Sequence, residues 1–446
     1  MQKAALVKNP KRMEGENPLA DFSALESTLP GHDVGWVKDL RRSAASRFTA
    51  LGYPSQKVEA WKYTGLSALA TQRFTPASAG ERVSAAAVAA KVLDGAQLLV
   101  FEAGHFRRDL SMLDPVDGVE ITTLGEALAA PPDWLEAHMT ESASGIEADA
   151  PFDSLNLAMM SDGVVVHVGE GREVAPVIQI LHLASEAGVA HHVRNIVKAD
   201  AGSRVTVLES WAGETDGAAW TNAVTEFDIA DGAEVRYVKA QEEAAAAFHL
   251  GRTKVRLGPN ARFDAFVLSA GGRLARSEVL VEHAGEFSKA TVNGVYVGHD
   301  QQHLDQVTRI DHAVPNATSD QVFKGVLSGK ARAAFQGTVI VREDAQKTDA
   351  RQANHTLLLS RTAEIDTKPE LEIYADDVKC AHGATVGELD HVQLHYLKSR
   401  GIHEADARAM LVEAFVAELA DEIAREDLRD YILAGIRAAI AKEAAE

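Results

Sequence analysis

Cysteine is nearly absent: Cys380 is the single one in 446 residues. One cysteine allows no internal disulfide, which fits a reducing compartment. It also excludes a self-contained site built from several thiolates, whether structural zinc or a one-chain iron–sulfur cubane. A cluster ligated at Cys380 would need ligands from elsewhere, another chain included. Positive charge is short too, with 45 basic against 65 acidic residues and a formal net charge of -20. That balance argues against non-specific binding to nucleic acid or to an anionic membrane. No apolar run approaches the ~18 residues that cross a bilayer. The start, Met1 to Pro10, lacks the apolar stretch of a secretory signal, so a cytoplasmic protein is expected.

The usual nucleotide and hydrolase signatures are missing as well. Gly325-Val326-Leu327-Ser328-Gly329-Lys330-Ala331 has one residue too few between its glycines for a phosphate loop. Ala331 also stands where a metal-binding hydroxyl is required. Gly169-Glu170-Gly171 follows a strand but has no third glycine and no helix after it. No nucleotide is expected to bind this chain. Neither a Gly-x-Ser-x-Gly nor a His-Glu-x-x-His sequence occurs.

With 46% hydrophobic and 25% charged residues the chain reads as globular. Three textures divide it. Residues 1–150 are helical and mixed. A polar lead-in to about residue 30 precedes a helix from Asp33, in which Val37, Leu40, Ala44, Phe48 and Leu51 recur at steps of three and four until Gly52 and Pro54 stop it. Glu59-Ala60-Trp61-Lys62-Tyr63-Thr64 reads as a helix anchored onto another element, and residues 80 to 150 as an Ala-rich α/β transition.

Residues 151–386 carry short β-rich runs with no helix between them, from Val164–Val168 and Val177–Leu183 through Thr253–Leu257 and Arg262–Leu268. Turns recur before strands at Ala201-Gly202-Ser203, Asp231-Gly232-Ala233, Pro259-Asn260-Ala261 and Ala284-Gly285-Glu286-Phe287. A spacing on the order of 25–30 residues, with two strands per period, describes a stack of flattened coils. The expected fold is therefore mainly β, a parallel β-helix flanked by N- and C-terminal α-helical regions. A sandwich or jelly roll is the rival, because the period drifts beyond residue 290. Residues 387–446 are helical again: one helix over Leu389–Leu397, a second presenting Leu411, Ala414, Phe415 and Leu419, and a third presenting Leu428, Ile432, Ile436 and Ile440.

Two groups of residues have ligand chemistry. Within Val378-Lys379-Cys380-Ala381-His382-Gly383 an extended backbone puts Cys380 and His382 on one side. A thiolate and an imidazole there are a ligand pair for a soft or borderline metal, or a nucleophile and base for a Cys–His hydrolase. A buried thiol beside a turn histidine is the bland alternative. His299 and His303 would share a helical face, with Asp300, Asp305, Asp311 and His312 nearby. Gly298 and its surroundings read as loop and strand, so solvated or interfacial histidines are the expectation. His191 and His192 fall on opposite strand faces.

Taken together the chain resembles the SufD-type subunits of the SufB/SufD family, part of the SUF iron–sulfur cluster assembly machinery. The resemblance is carried by Glu59-Ala60-Trp61-Lys62-Tyr63-Thr64, Phe335-Gln336-Gly337, Ala345 to Ala350, Gln352, Asn354 and Leu357 to Leu359. It continues through Lys368 to Ile373, Asp376 to Gly383 and Tyr396-Leu397, Ser399-Arg400-Gly401. It implies a right-handed parallel β-helix and a non-catalytic scaffold. It also implies a heterodimer with a SufB-like subunit and a SufC-like ATPase docked on the C-terminal helices. His382 is then the residue facing the partner at an interfacial iron or transient iron–sulfur cluster site, with Cys380 beside it. A homodimer of the isolated chain stays open. The alternatives from another class are the Cys–His hydrolase and a β-helix enzyme acting on polysaccharide.

Overall fold

The computed structural model describes residues 12–145, 147, 150–213, 215 and 217–444. From Val164 to Gly387 strands follow one another through short turns, and each strand from Val189–Ala199 to Asp349–Leu358 pairs with the strands two before and two after it. Consecutive strands therefore alternate between two stacked sheets. Sheet I ends on Asp349–Leu358 and Lys379–Gly387, and sheet II on Arg332–Val341 and Glu364–Ile373. The ladders along both sheets from residue 164 on are parallel. That topology is a β-helix of about 8 turns and rules out the jelly roll, whose strands are antiparallel.

Register explains the drifting period. Arg262 pairs with Lys289, a coil of 27 residues, whereas Thr318 pairs with Asp349, a coil of 31. The corner absorbs the difference while strand length stays near ten residues. The repeated turns form one column in which Gly202, Gly232, Asn260, Phe287, Asn316 and Lys347 all have positive φ. Gly202 N–H donates to Asp231 O and Gly232 N–H to Pro259 O, so each corner is bonded to the next coil. Glycine and asparagine tolerate this left-handed conformation; Phe287 occupies it at a steric cost.

Val166, Phe227, Val255, Val281, Ile310 and Phe335 from sheet II meet Ile180, Val207, Phe263, Val292 and Phe323 from sheet I in one continuous core. Burial of each large side chain contributes about 1.5–3 kcal/mol. The outer face of sheet II is covered by helices α1 (Gly35–Leu51), α2 (Asp133–Ser144) and α3 (Pro151–Met159). Arg41 is fully buried there, donating to Pro30 O, Ala158 O and Met160 O. Burial lowers its pKa to about 9.

Several expectations are refined. The lead-in falls partly on residues outside the described set. Its described part is ordered, with Arg12–Met13 paired to Tyr53–Pro54 and a helical turn at Phe22–Leu25. Glu59–Trp61 is a 3₁₀ turn, too short for the expected helix, because Trp61 is held from outside. In the Ala-rich stretch, Gln97–Glu102 pairs parallel to Ile178–Ala184, and Val119–Thr123 pairs antiparallel to Val164–Val168. Strands from before residue 151 thus extend both sheets.

The C-terminal region forms α4 (His391–Ser399), α5 (Glu404–Ala420) and α6 (Glu426–Ala444). The last two pack on the outer face of sheet I, against Leu208, Val238, Phe266, Leu268 and Val295. In α6 the buried stripe is Leu428, Ile432, Ile436 and Ile440, as the spacing predicts. In α5 it is Val412, Val416, Leu419 and Ala420, while Leu411 and Phe415 lie at its margin and Ala414 is exposed. The face is rotated from the predicted one because sheet I and α6, rather than local spacing, choose which side is covered.

Candidate functional site at the open end of the β-helix

The β-helix is uncovered at its C-terminal end. Glu364–Ile373 and Lys379–Gly387 are each the last strand of their sheet and pair on one side only. Their outer edges present unpaired backbone groups, and Ile373, Tyr374 and Val386 are large exposed hydrophobics beside them. Tyr374 is 61% exposed and Val386 50%, an unusual density for a soluble surface.

Cys380 and His382 lie on the second of these strands with alternation as expected. Cys380 packs with Val339, Val341 and Leu371 of the opposite sheet, so its side faces the interior of the coil. His382 shares that side by period 2 and is exposed, since no further coil lies over it. Burial pushes the Cys380 thiol above its ordinary pKa. An activated nucleophile carries the opposite shift, so the thiol lends the hydrolase reading no support. The site offers one imidazole and one half-buried thiol. Among the described residues no group of three histidine, cysteine or acidic side chains could hold a metal ion. The donor set thus fits half of a metal site and cannot complete one.

The His299 group does not assemble. His299 sits in the turn after Lys289–Gly298, and His303 begins the next strand. Asp305 is buried on the outer face of sheet II with Arg276, whereas His312 turns into the coil, stacked on His283 at 4.4 Å. Of the expected solvated or interfacial histidines, His299 is buried and His303 partly so, which corrects the solvated half of that reading. Strand alternation puts His303, Asp305 and Asp311 on the outer face and His312 inside. His191 and His192 also diverge, the first accepting from or donating to Thr221 and the second paired with Asn222.

The stretch Glu59 to Thr64 is clamped to sheet II near the open end. The Arg276 guanidinium stacks 4.1 Å from the Trp61 ring, Thr64 Oγ1 donates to Asp305, and Lys368 Nζ donates to Glu59 Oε1 at 2.5 Å. Sequence reasoning saw the anchor but not its partners. It also missed a row of polar groups inside the coils: Glu209 accepts from Thr225, Trp211 Nε1 and Tyr237, and Glu243 accepts from Thr221 at 2.6 Å. Apart from Trp211, two residues from Glu209 on the same strand, the partners come from other strands, for which no local signal exists.

α4 carries a second exposed apolar surface. Val392 is 77% and Tyr396 56% exposed, one turn apart, and Met410 of α5 is also exposed. No described helix is long and apolar enough to cross a membrane.

Comparison with known proteins agrees with this geometry. Residues 182–415 match the profile of the SUF system FeS cluster assembly SufBD core domain, and residues 16–180 that of the SufBD protein N-terminal region. The chain is 32% identical over 394 residues to the iron–sulfur cluster assembly protein SufD of Escherichia coli, covering 86% of this chain and 89% of that one. It is 29% identical over 410 residues to a SufBD family protein of Synechocystis, slr0076, covering 89% and 90%. It is 27% identical over 409 residues to the chloroplastic protein ABCI7 of Arabidopsis thaliana, covering 88% and 84%.

Proposed function

The chain belongs to the SufBD family and has a role in iron–sulfur cluster assembly, and from that premise we propose that it is a non-catalytic scaffold whose open β-helix end forms half of an assembly site. The observation that carries this reading is the inward side of Lys379–Gly387. One imidazole and one thiol stand at an uncovered edge, in a chain with no second cysteine to complete a ligand set. A SufB-like subunit docks on the exposed strand edges by strand addition and supplies the remaining thiolates. Iron or a transient cluster is the cargo of this interface. His382 is the ligand from this chain, and Cys380 is its neighbour. No nucleotide binds here.

A SufC-like ATPase docks on the C-terminal helical region, with Val392 and Tyr396 as apolar contacts. Its movement is transmitted through α5 and α6 to sheet I, and rotation of the subunits opens or closes the shared site. The protein works in the cytoplasm, and the same edges allow a homodimer when the partner is missing. The acidic surface suits neither nucleic acid nor an anionic membrane. Anaerobic co-expression with both partners tests the reading. His382→Ala is expected to abolish maturation of a reporter iron–sulfur enzyme while the three-chain complex still forms; normal maturation by that variant refutes the ligand role.

A further inference from the structure

On the strand next to that of His382 lies a buried amide with no hydrogen-bond partner among the described residues. Gln352 is the in-register partner of His382 on the neighbouring strand of sheet I. Parallel in-register residues project to the same side, about 4.8 Å apart, so Gln352 stands beneath the imidazole on the coil's inner face. It is 3% exposed, and neither its Nε2 nor its Oε1 has a hydrogen-bond partner. The backbone makes room for it: a Cβ on Gly337, across the core, would come within 2.1 Å of Gln352 Nε2. Of the other polar groups nearby, Tyr296 Oη is bonded to Asn354 and Thr356. Gln321, in register one coil further in, is fully buried and equally unpartnered, and makes no bond to Gln352.

An unpaired buried amide is costly, and leucine or methionine would fill the same space without that cost. His382, on the strand beyond it, is exposed and makes no side-chain hydrogen bond or ion pair to another described residue. A histidine that ligates a metal through one nitrogen characteristically donates its other N–H to a fixed acceptor, which sets the tautomer and the ring plane. Gln352 Oε1 is such an acceptor. It adds no charge to the site, so it orients the ring without competing for the metal.

We propose that Gln352 is the positioning residue of His382, its buried amide oxygen accepting the imidazole N–H when the other ring nitrogen ligates metal. This rests on the reading of His382 as a ligand, and the test separates the two. The complex with the SufB-like subunit is titrated anaerobically with Co²⁺ alone, as a spectroscopic stand-in for ferrous iron. Affinity is read from the visible absorption band and thermal midpoint from circular dichroism. Gln352→Leu is expected to weaken Co²⁺ binding on the order of 10–100-fold with no fall in the thermal midpoint, and Gln352→Glu, which keeps an acceptor oxygen, to recover most of the affinity. If Gln352→Leu does not fold, Gln352→Met takes its place in the same titration. Wild-type Co²⁺ affinity in Gln352→Leu with affinity lost in His382→Ala overturns the positioning role and leaves the ligand role standing. Wild-type affinity in both variants overturns both. Loss of affinity that merely follows a lowered thermal midpoint, without recovery in Gln352→Glu, assigns Gln352 to packing and overturns the proposal.

Discussion

Lys368 Nζ meets Glu59 Oε1 at 2.5 Å across 309 residues of sequence. Lys368 lies on the last strand of sheet II and Glu59 opens the N-terminal anchor that also holds Trp61. The anchor therefore touches the strand that forms the open edge. The Lys368 ammonium holds the Glu59 carboxyl below its ordinary pKa, and Lys368 also pairs with Glu370. Lys368→Glu would gather carboxylates at positions 59, 368 and 370. The single variant is expected to lower the urea midpoint, and Glu59→Lys combined with Lys368→Glu to restore it. A double variant no better than the single one would show that the pairing does not hold the anchor.

Trp61 should contribute far more than the ion pair. It is 3% exposed, edge-on to Phe152 and stacked by Arg276. Trp61→Ala is expected to cost about 3–5 kcal/mol of unfolding free energy, read from equilibrium denaturation. A loss below ~1 kcal/mol would mean that the site collapses around the smaller side chain.

Phe287 offers a gain. It holds φ +60° and is 56% exposed, in a column where the coils on either side use Asn260 and Asn316. Left-handed backbone costs an ordinary residue about 1–2 kcal/mol, and little contact is lost on truncation. Phe287→Asn should raise the thermal midpoint by a few degrees in the isolated chain.

Cys380 should be a sluggish thiol. Burial raises its pKa, so at pH 8 its alkylation by iodoacetamide is expected to be slower than that of free cysteine, and to accelerate as the solution becomes more alkaline. The raised folded-state pKa means that the native protein favours the protonated thiol. Its stabilising contribution is complete below the unfolded pKa and is lost as pH rises through the folded one. Wild type should therefore lose stability at alkaline pH more steeply than Cys380→Ser, and identical pH profiles would contradict this.

The C-terminal helices call for surface substitution rather than truncation. Removing α5 and α6 would bare Leu208, Val238, Phe266 and Leu268 on sheet I, so a chain ending before Glu404 is expected to aggregate. Val392→Asp with Tyr396→Ser changes two largely exposed side chains and gives up only the contact of the Tyr396 ring with Arg400. That pair should abolish co-purification of the SufC-like ATPase while circular dichroism is unchanged. Undiminished co-purification would move the docking surface elsewhere.

Much of this was legible in the sequence, for identifiable reasons. Turn residues at Gly202, Gly232 and Asn260 mark the corner column because a left-handed corner accepts few residue types. The alternation that aligns Cys380 with His382 is a property of any strand, and one cysteine in the chain already excluded a self-contained multi-thiolate site. The stripe of α6 was readable because Leu428, Ile432, Ile436 and Ile440 leave no second apolar face. Tertiary structure alone decided the rest. It chose which side of α5 is buried and scattered His299, Asp305 and His312 to different faces. It joined Glu59 to Lys368, left the last coil uncovered, and set Gln352 beneath His382. These relations depend on which coil lies above which, and because the coil length varies between 27 and 31 residues the approximate period of the turns does not fix which side chains are brought together.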